Sequence, residues 1–196
     1  EEVVARILQS AGRGKTVIFT KTKRQAGSLC EALLERGFRA TALHGDMSQE
    51  ARERSMSNFR SGKKEILVAT EVAARGIDVD DVTHVINYTV PEDEKGYLHR
   101  IGRTGRAGRT GIAVTFVDWE DLLRWSNINQ ALELGVPDPI ETYSSSPHLY
   151  TDLDIPEGTK GRVSKPAPER PAVKKKETES KASRKPRKRV RAYKKD

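Results

Sequence analysis

A run of arginines and glycines is the most chemically specific stretch of the sequence. Residues 99–109 read HRIGRTGRAGR, so arginine recurs at every third position, as Arg100, Arg103, Arg106 and Arg109. Guanidinium groups bind phosphate oxygens in a bidentate manner, and the glycines between them let the backbone approach a ligand closely. The pattern indicates a phosphate-binding loop, with a solvated basic loop or a general RNA-backbone patch as the alternatives.

A second stretch, residues 69–78 (ATEVAARGID), offers a different set of groups. Thr70 supplies a hydroxyl at the end of a strand pattern, Arg75 a charge, Gly76 a tight turn and Asp78 an acceptor suited to ribose hydroxyls. Ligands of open α/β sheets gather at the carboxyl ends of the strands, so this position suits a binding loop. By itself the stretch indicates a strand-to-helix loop of moderate specificity.

The Gly14-Lys15-Thr16 sequence resembles the end of a Walker A loop, but two features reject that interpretation. The full motif needs a glycine at position 9, where the chain has Gln9, and it must follow a strand and open a helix. Here the glycine precedes a strand pattern instead. The prediction is a turn leading into a strand.

Strand and helix patterns alternate along the first 135 residues. Strands are predicted over 16–20, 39–43, 65–70, 83–88 and 111–117, and helices over 3–9, 23–35, 49–60, from 91 toward 99, and over 118–134. Continuous apolar strands that alternate with helices indicate a parallel sheet covered on both faces, hence an α/β domain. The candidate binding loops therefore follow Thr20, Leu43, Thr70 and Tyr88, at the carboxyl edge of that sheet.

Several conspicuous side chains have a structural explanation. Trp119 and Trp125 lie at helical spacing with nearby leucines and are predicted to pack as one helix face. Cys30 and His84 are predicted to be packed residues rather than catalytic ones. The four histidines are scattered, and none lies at zinc-ligand spacing from another ligand, so no metal site is predicted.

The net charge of +8 is divided unevenly along the chain. Residues 160–196 hold 16 Lys/Arg against 4 Asp/Glu, a net of +12, whereas residues 1–159 hold 20 against 24, a net of −4. The basic end has almost no large apolar residue and is predicted to be disordered on its own. We therefore expect a folded domain over 1–142, a polar linker over 143–159 and a Lys/Arg/Pro-rich tail over 160–196 that tethers nucleic acid.

Composition also excludes several classes of protein. No apolar run approaches the roughly 20 residues of a membrane span, and the chain opens Glu1-Glu2-Val3 rather than with a secretory signal. The missing initiator Met indicates a fragment or a processed chain. One cysteine allows no internal disulfide and fits a reducing, cytoplasmic location.

Taken together and in order, the two motifs resemble the C-terminal RecA-like half of superfamily 2 helicases, and most closely that of DEAD-box ATP-dependent RNA helicases. Other stretches match where that family has them: VIFTKT at 17–22, HGDM at 44–47, Gln49-x-x-Arg52, FRSG at 59–62 and VINY at 85–88. The resemblance covers about residues 1–135 and implies a RecA-like parallel sheet with helices on both faces.

The resemblance implies roles for individual residues. Arg103 and Arg106 match two arginine fingers that reach the γ-phosphate of ATP bound on the other half. Gly76 and Asp78 match positions near the ATP ribose. His99 and Arg100 match positions that couple the nucleotide to interdomain contacts. The positions that match RNA-contacting residues of the family are Thr20, Thr22, Gly45, Arg52 and Thr70.

Departures from the family pattern limit these implications. Glu71 and Thr89 stand where the family commonly has Asp, which keeps the charge at the first position and removes an acceptor at the second. The Walker A loop, the Asp-Glu-Ala-Asp box and the adenine-reading Gln are absent, so the groups that hold ATP and Mg²⁺ belong to an N-terminal RecA-like domain.

The resemblance implies ATP-driven RNA unwinding by a two-domain protein, whereas the present chain is expected to be inactive alone. A stand-alone RNA-binding or annealing module, or half of a superfamily 2 DNA helicase, are the alternatives. No membrane partner is expected.

Overall fold

The computed structural model describes residues 1–74, 79, 81–105, 108 and 110–163. Its strands are β1 (Lys15–Thr20), β2 (Ala40–Leu43), β3 (Ile66–Thr70), β4 (Val82–Asn87) and β5 (Ile112–Thr115). Every strand pair is parallel, in the order β2-β3-β1-β4-β5. The predicted α/β class and the RecA-like parallel sheet are confirmed.

The helices connect the strands and cover both faces of the sheet. They are α1 (Glu2–Ile7), α2 (Lys23–Glu35), α3 (Gln49–Arg60), α4 (Glu71–Ala74), α5 (Glu94–Ile101), a 3₁₀ turn (Trp119–Asp121), α6 (Leu122–Ala131) and α7 (Pro147–Asp152). Thr22, Ser48 and Asp93 cap α2, α3 and α5, since each side chain accepts a hydrogen bond from a first-turn N–H. The predicted span of α2 and the cap at Ser48 are confirmed.

Alternating side chains of each strand separate the core into two layers. Ile18, Val68 and Ile86 pack with α1, α2 and α7 on one face. Val17, Phe19, Leu43, Phe59, Leu67, Ala73 and Val85 pack on the other face, which α3 and α4 cover. Because both faces are buried, the strands are continuously apolar, which is the pattern that predicted them. A smaller cluster joins α5 to α6 through Tyr97, Trp125 and Ile128.

The segment predicted as a linker over 143–159 is packed against the body instead. It forms the short helix α7, and its Leu149 and Ile155 are each only 5% exposed within the core layer that contains α1. Two apolar residues in a polar background make too short a pattern to reveal a packed helix from sequence.

Arginines of α1 and of the end of α2 hold this segment in place. Arg6 donates to the Tyr150 hydroxyl at 2.6 Å and to the Thr159 carbonyl, while Arg36 donates to the Gly161 carbonyl at 2.9 Å. Glu2 bridges the two guanidinium groups, at 3.0 Å from Arg6 and 2.6 Å from Arg36. The ordered body therefore continues past residue 160, where the tail was predicted to begin. The rest of the predicted tail, 164–196, lies outside the described residues.

Candidate functional site

The loops after β2, β3 and β1 lie side by side at the carboxyl edge of the sheet. Thr20 is paired in register with Thr70, and Leu43 with Ala69, so the three strands end at nearly the same level. Lys23 also reaches across the loops and contacts Asp46 at 2.7 Å. The structure thus brings together the residues predicted to contact RNA, which we call the carboxyl-edge row: Thr20, Thr22, Gly45, Arg52 and Thr70.

The threonines of this row differ in how far their hydroxyl groups are exposed to solvent. The Thr20 hydroxyl is buried and donates to the carbonyls of Thr22, at 3.3 Å, and Ala69, at 3.5 Å. It therefore shapes the loop after β1 rather than presenting a hydroxyl to a ligand. Thr22 is exposed but accepts the N-capping bond from Gln25 at 3.1 Å, and Thr70 is half-buried.

Three features of this edge suit an anion, beside the carboxylates of Asp46 and Glu50 that also lie there. Helices α2 and α3 both begin here, and the N-terminus of a helix carries unpaired N–H groups and partial positive charge. Arg52 lies in the first turn of α3, and its guanidinium has no ion-pair or hydrogen-bond partner among the described residues. Gly45 is exposed with open space around it, so a backbone can pass close to the chain there. These features suit a sugar-phosphate backbone.

We call residues 102–109 the arginine loop; its described part, residues 102–105 and 108, lies at the opposite edge of the sheet. The Thr104 hydroxyl donates at 2.6 Å to the carbonyl of Val82, the first residue of β4. A Cβ on Gly111, just before β5, would lie 2.6 Å from the Gly105 nitrogen, so only glycine allows the loop to pack there. The described part of the loop follows none of the four strand ends named as candidate positions. Helix α5 runs back along the sheet and carries it to the amino ends of β4 and β5.

Arg103 is the described finger candidate in this loop. Its side chain is half-buried, and its Nε donates to the carbonyl of His99, one turn earlier, at 3.2 Å. His99 itself is exposed near the end of α5. The other nucleotide-site candidates, Gly76, Asp78 and Arg106, lie outside the described residues.

Arg100 is buried inside the domain, with 4% of its surface exposed. Its guanidinium contacts Glu71 at 2.9 Å and 3.3 Å, donates to the carbonyl of Thr89 at 2.9 Å, and lies 5.3 Å from the centre of the Phe19 ring. A buried guanidinium needs a paired carboxylate, so this contact places Arg100 and Glu71 as a structural pair. Coupling to another domain through Arg100 can therefore act only through the position of α5.

Sequence reasoning passed over two residues that shape the site. Glu71 was noted only as a departure from Asp, yet it carries the counter-charge of Arg100 and follows directly on Thr70. Gly111 drew no attention, although its lack of a side chain lets the arginine loop pack against β5. A buried arginine implies a nearby carboxylate, but which one is decided only by the packing of α5 on the sheet.

The two tryptophans, predicted to share a packed face, have opposite environments. Trp125 is 6% exposed, stacks edge-on against Tyr97 and donates its indole N–H to the carbonyl of Val136 at 2.9 Å. Trp119 is 83% exposed, so the prediction is wrong for that residue. The 3₁₀ turn is the reason, because it rotates Trp119 away from the face that α6 buries.

His84 and Cys30 are both buried; burial was predicted for Cys30, whereas for His84 the prediction was packing either in the core or at the surface. His84 contacts Thr83 at 2.8 Å and Ser10 at 3.3 Å, and burial, with a smaller effect of Arg13, lowers its pKa. Burial raises the pKa of the Cys30 thiol to about 11, which leaves almost no thiolate at neutral pH.

The described part of the chain contains no group of three or more His, Cys, Asp and Glu side chains able to hold a metal ion. Within the same residues, every helix is too short or too polar to cross a membrane.

Comparisons with known proteins show the family to which the fold belongs. A family model described as the helicase conserved C-terminal domain matches residues 1–108. The E. coli DEAD-box protein SrmB, solved bound to regulator of ribonuclease activity A, is 34% identical with a TM-score of 0.61. That match covers 67% of this chain and 81% of the SrmB chain.

Two longer proteins match at similar levels. A DEAD-box protein from the hyperthermophile Methanococcus jannaschii is 41% identical, with a TM-score of 0.61, over 66% of this chain and 36% of that one. S. cerevisiae Dbp5 bound to RNA and ADP BeF3 is 38% identical, with the same TM-score, over 65% of this chain and 34% of that one. The chain matches about a third of these two proteins. It belongs to the helicase conserved C-terminal domain family, as the C-terminal RecA-like domain of a DEAD-box helicase.

Proposed function

We propose that the chain is the C-terminal half of an ATP-dependent RNA helicase that unwinds RNA duplexes. The observation that carries the proposal is that the carboxyl-edge row and the described part of the arginine loop lie at opposite edges of the sheet. Dbp5, a relative of this chain, was solved with RNA and a nucleotide analogue together. Two separate surfaces are what a protein needs to hold both ligands at once.

The arginine loop is proposed to serve the nucleotide. Arg103 and Arg106 would stabilise the charge that develops on the γ-phosphate during transfer to water. Gly76 and Asp78 would lie beside the ribose of the same ATP. MgATP is the substrate, and its triphosphate and metal would be held mainly by an N-terminal RecA-like domain, because this sequence has no Walker A loop.

The carboxyl-edge row is proposed to hold the RNA backbone. Two helix N-termini and Arg52 can neutralise successive phosphates, while Thr22, Gly45 and Thr70 allow close backbone contact. Such contacts read no bases, so binding should be largely independent of RNA sequence. Closure of the two domains on ATP would bend the bound strand and separate it from its complement, and hydrolysis would reopen them.

A hydrolysis assay on two proteins tests the function. The 196-residue chain alone should not turn over ATP with or without RNA, whereas the chain joined to an N-terminal RecA-like domain of a DEAD-box protein should show RNA-stimulated hydrolysis. ATPase activity of the chain alone would contradict the proposal. RNA binding without stimulation in the joined protein would favour an RNA-binding or annealing module, and equal stimulation by DNA would favour a DNA helicase half.

The basic tail is proposed as a second, sequence-independent RNA contact. Residues 164–196 carry 14 Lys/Arg and 4 Asp/Glu, and each phosphate they neutralise releases counterions. A chain ending at Val163 should bind oligo-uridylate more weakly, and its affinity should depend less steeply on salt. An unchanged affinity and salt slope would remove the tail from the RNA interface.

A cytoplasmic location is proposed from the cysteine content. The sequence has one cysteine, and Cys30 is buried and unpaired. A lone protected thiol fits a compartment in which disulfides do not form.

A further inference from the structure

The start of helix α6 exposes an apolar surface that the body of the domain does not use. Trp119, Leu122 and Leu123 are 83%, 40% and 76% exposed, and we call them the Trp119 patch. Their spacing of three and four residues places them on one side of the 3₁₀ turn and the helix that continues it. Single exposed apolar residues are ordinary, whereas a cluster that includes a tryptophan is typical of an interaction surface.

The rest of α6 shows that the patch is not simply its packing face. Trp125 and Ile128, one and two turns further on, are buried against α5. The helix thus satisfies its contact with the domain through its later turns. Trp119 and Leu123 contribute little to that contact, so replacing them should leave the fold intact.

The charged side chains around the Trp119 patch determine whether it attracts a cationic or an anionic ligand. Asp118 and Glu120 flank Trp119 in sequence and are exposed. Arg124, on the next turn of α6, contacts Asp121 at 2.6 Å and Glu92 at 4.0 Å. Four carboxylates against one guanidinium give this corner a negative potential. An RNA backbone would be repelled there, and a cationic ligand would be attracted.

The position of the patch separates it from the carboxyl-edge row. It follows β5, at the end of the sheet order, whereas the row follows β2, β3 and β1. Strand β4 lies between β1 and β5, so the two surfaces are about 10 Å apart across the sheet at the usual strand spacing. A ligand on the patch can therefore lie beside bound RNA without displacing it.

We propose that the Trp119 patch is a docking surface for a basic segment of a partner protein. The segment would place a large apolar side chain against Trp119 and Leu123, with Lys or Arg on either side opposite Asp118 and Glu120. Apolar contact at the centre and charge contact at the rim is the usual arrangement of a specific protein interface. Charge complementarity favours this occupant over RNA.

The two tryptophans allow a direct test. The chain contains only these two, so the spectrum of a Trp119→Phe variant reports Trp125 and the difference from the unchanged chain reports Trp119. The probe is a synthetic amphipathic peptide with two leucines flanked by Lys and Arg, and the control is the same peptide with Glu at the charged positions. The basic peptide should shift Trp119 emission to the blue and protect it from acrylamide quenching, and added salt should weaken this effect.

Variants define the surface. Leu123→Ala and Glu120→Lys should each weaken binding of the basic peptide, Leu123→Ala on the order of tenfold. Leu34→Ala, which alters an exposed leucine on α2 on the opposite face of the sheet, should have no effect. Unchanged thermal unfolding would show that each variant is folded.

Four results would overturn the proposal. These are no response to the basic peptide, equal binding of the acidic peptide, binding that survives Leu123→Ala, or protection of Trp119 by oligo-uridylate, which would assign the patch to RNA. Self-association abolished by Leu123→Ala would assign it to a second copy of the chain. None of these outcomes bears on the ATPase assay, so the two proposals can fail separately.

Discussion

The two edges of the sheet carry different kinds of surface. Beyond the carboxyl edge lie an exposed glycine, the N-termini of α2 and α3, and Arg52. At the amino edge, the described part of a glycine-rich loop carries the half-buried Arg103 and is attached to Val82 through Thr104. Strand β4 has six residues, so about 20 Å separates the two regions. The difference teaches that, if both surfaces act as proposed, RNA and nucleotide would bind at separate places on one small domain and would not compete.

Helix α5 is the element that connects these regions. Arg100 reaches the carboxyl edge, where it contacts Glu71 next to Thr70, and Arg103 follows one turn later at the start of the arginine loop. A rigid helix that contacts both surfaces can pass a displacement at one to the other. The comparison can therefore be tested by substituting residues of each surface separately, and by substituting Glu71, which pairs with Arg100 on α5.

The largest effect is expected from the arginine loop. In the chain joined to an N-terminal RecA-like domain, Arg106→Ala should lower kcat for RNA-stimulated ATP hydrolysis by about 10³-fold, because a finger arginine stabilises transition-state charge. RNA affinity should stay unchanged, since RNA would bind at the other edge. Near-normal turnover, measured by phosphate release, would contradict the finger assignment, and Arg54→Ala, at an exposed position on α3, is the control for loss of one charge.

The second-largest effect is expected from the ion pair between Arg100 and Glu71. Glu71→Gln keeps the shape of the side chain but leaves the Arg100 charge buried without a counter-charge, which should cost about 3 kcal/mol of unfolding free energy. Glu71→Asp is the matched control, because it keeps the carboxylate and should recover most of that loss. Denaturant unfolding of the 196-residue chain measures both. Equal stability of the Gln and Asp variants would show that the pair is not energetically coupled.

A smaller effect is expected at the carboxyl-edge row. Arg52→Ala should weaken oligo-uridylate binding about fivefold and reduce the salt slope by about 0.7, the value for one phosphate contact on a single strand. Arg54→Ala, two positions along α3, is the control for a general loss of charge. Titrations at three salt concentrations decide the matter. A loss of the same size in both variants would mean that only the overall charge matters.

The smallest effect is expected on the pH dependence of stability, from protonation of His84 in β4. Burial lowers the pKa of His84, so the unfolded chain binds a proton that the folded chain resists. The free energy of unfolding should therefore fall as pH drops below the unfolded value of about 6.5, and should be independent of this group above it. His84→Asn should flatten that slope, whereas His99→Gln, at an exposed position, should not. Thermal unfolding across this pH range provides the measurement.

Much of the fold could be predicted from the sequence, because its helices and strands are marked by local patterns of apolar, capping and glycine residues. The helix over 23–35 has an apolar stripe, a capping threonine and a glycine just past its end, and its observed span is the predicted one. The strands were recognisable because parallel strands buried on both faces are continuously apolar. The span predicted for the last long helix was too long, since a 3₁₀ turn precedes α6 and the helix ends at Ala131.

The candidate site could be predicted in its parts but not in its arrangement. Residue type and spacing predicted a phosphate-binding role for arginines on a glycine loop and placed hydroxyls at strand ends, because such patterns depend on short segments. Only the tertiary structure decided that the arginine loop lies at the amino edge, that Arg100 is paired with Glu71, that Trp119 is exposed and that residues 143–163 pack on α1. Each of these depends on where a helix or a turn places a side chain relative to residues far away in sequence. Local preferences carry no information about such distances.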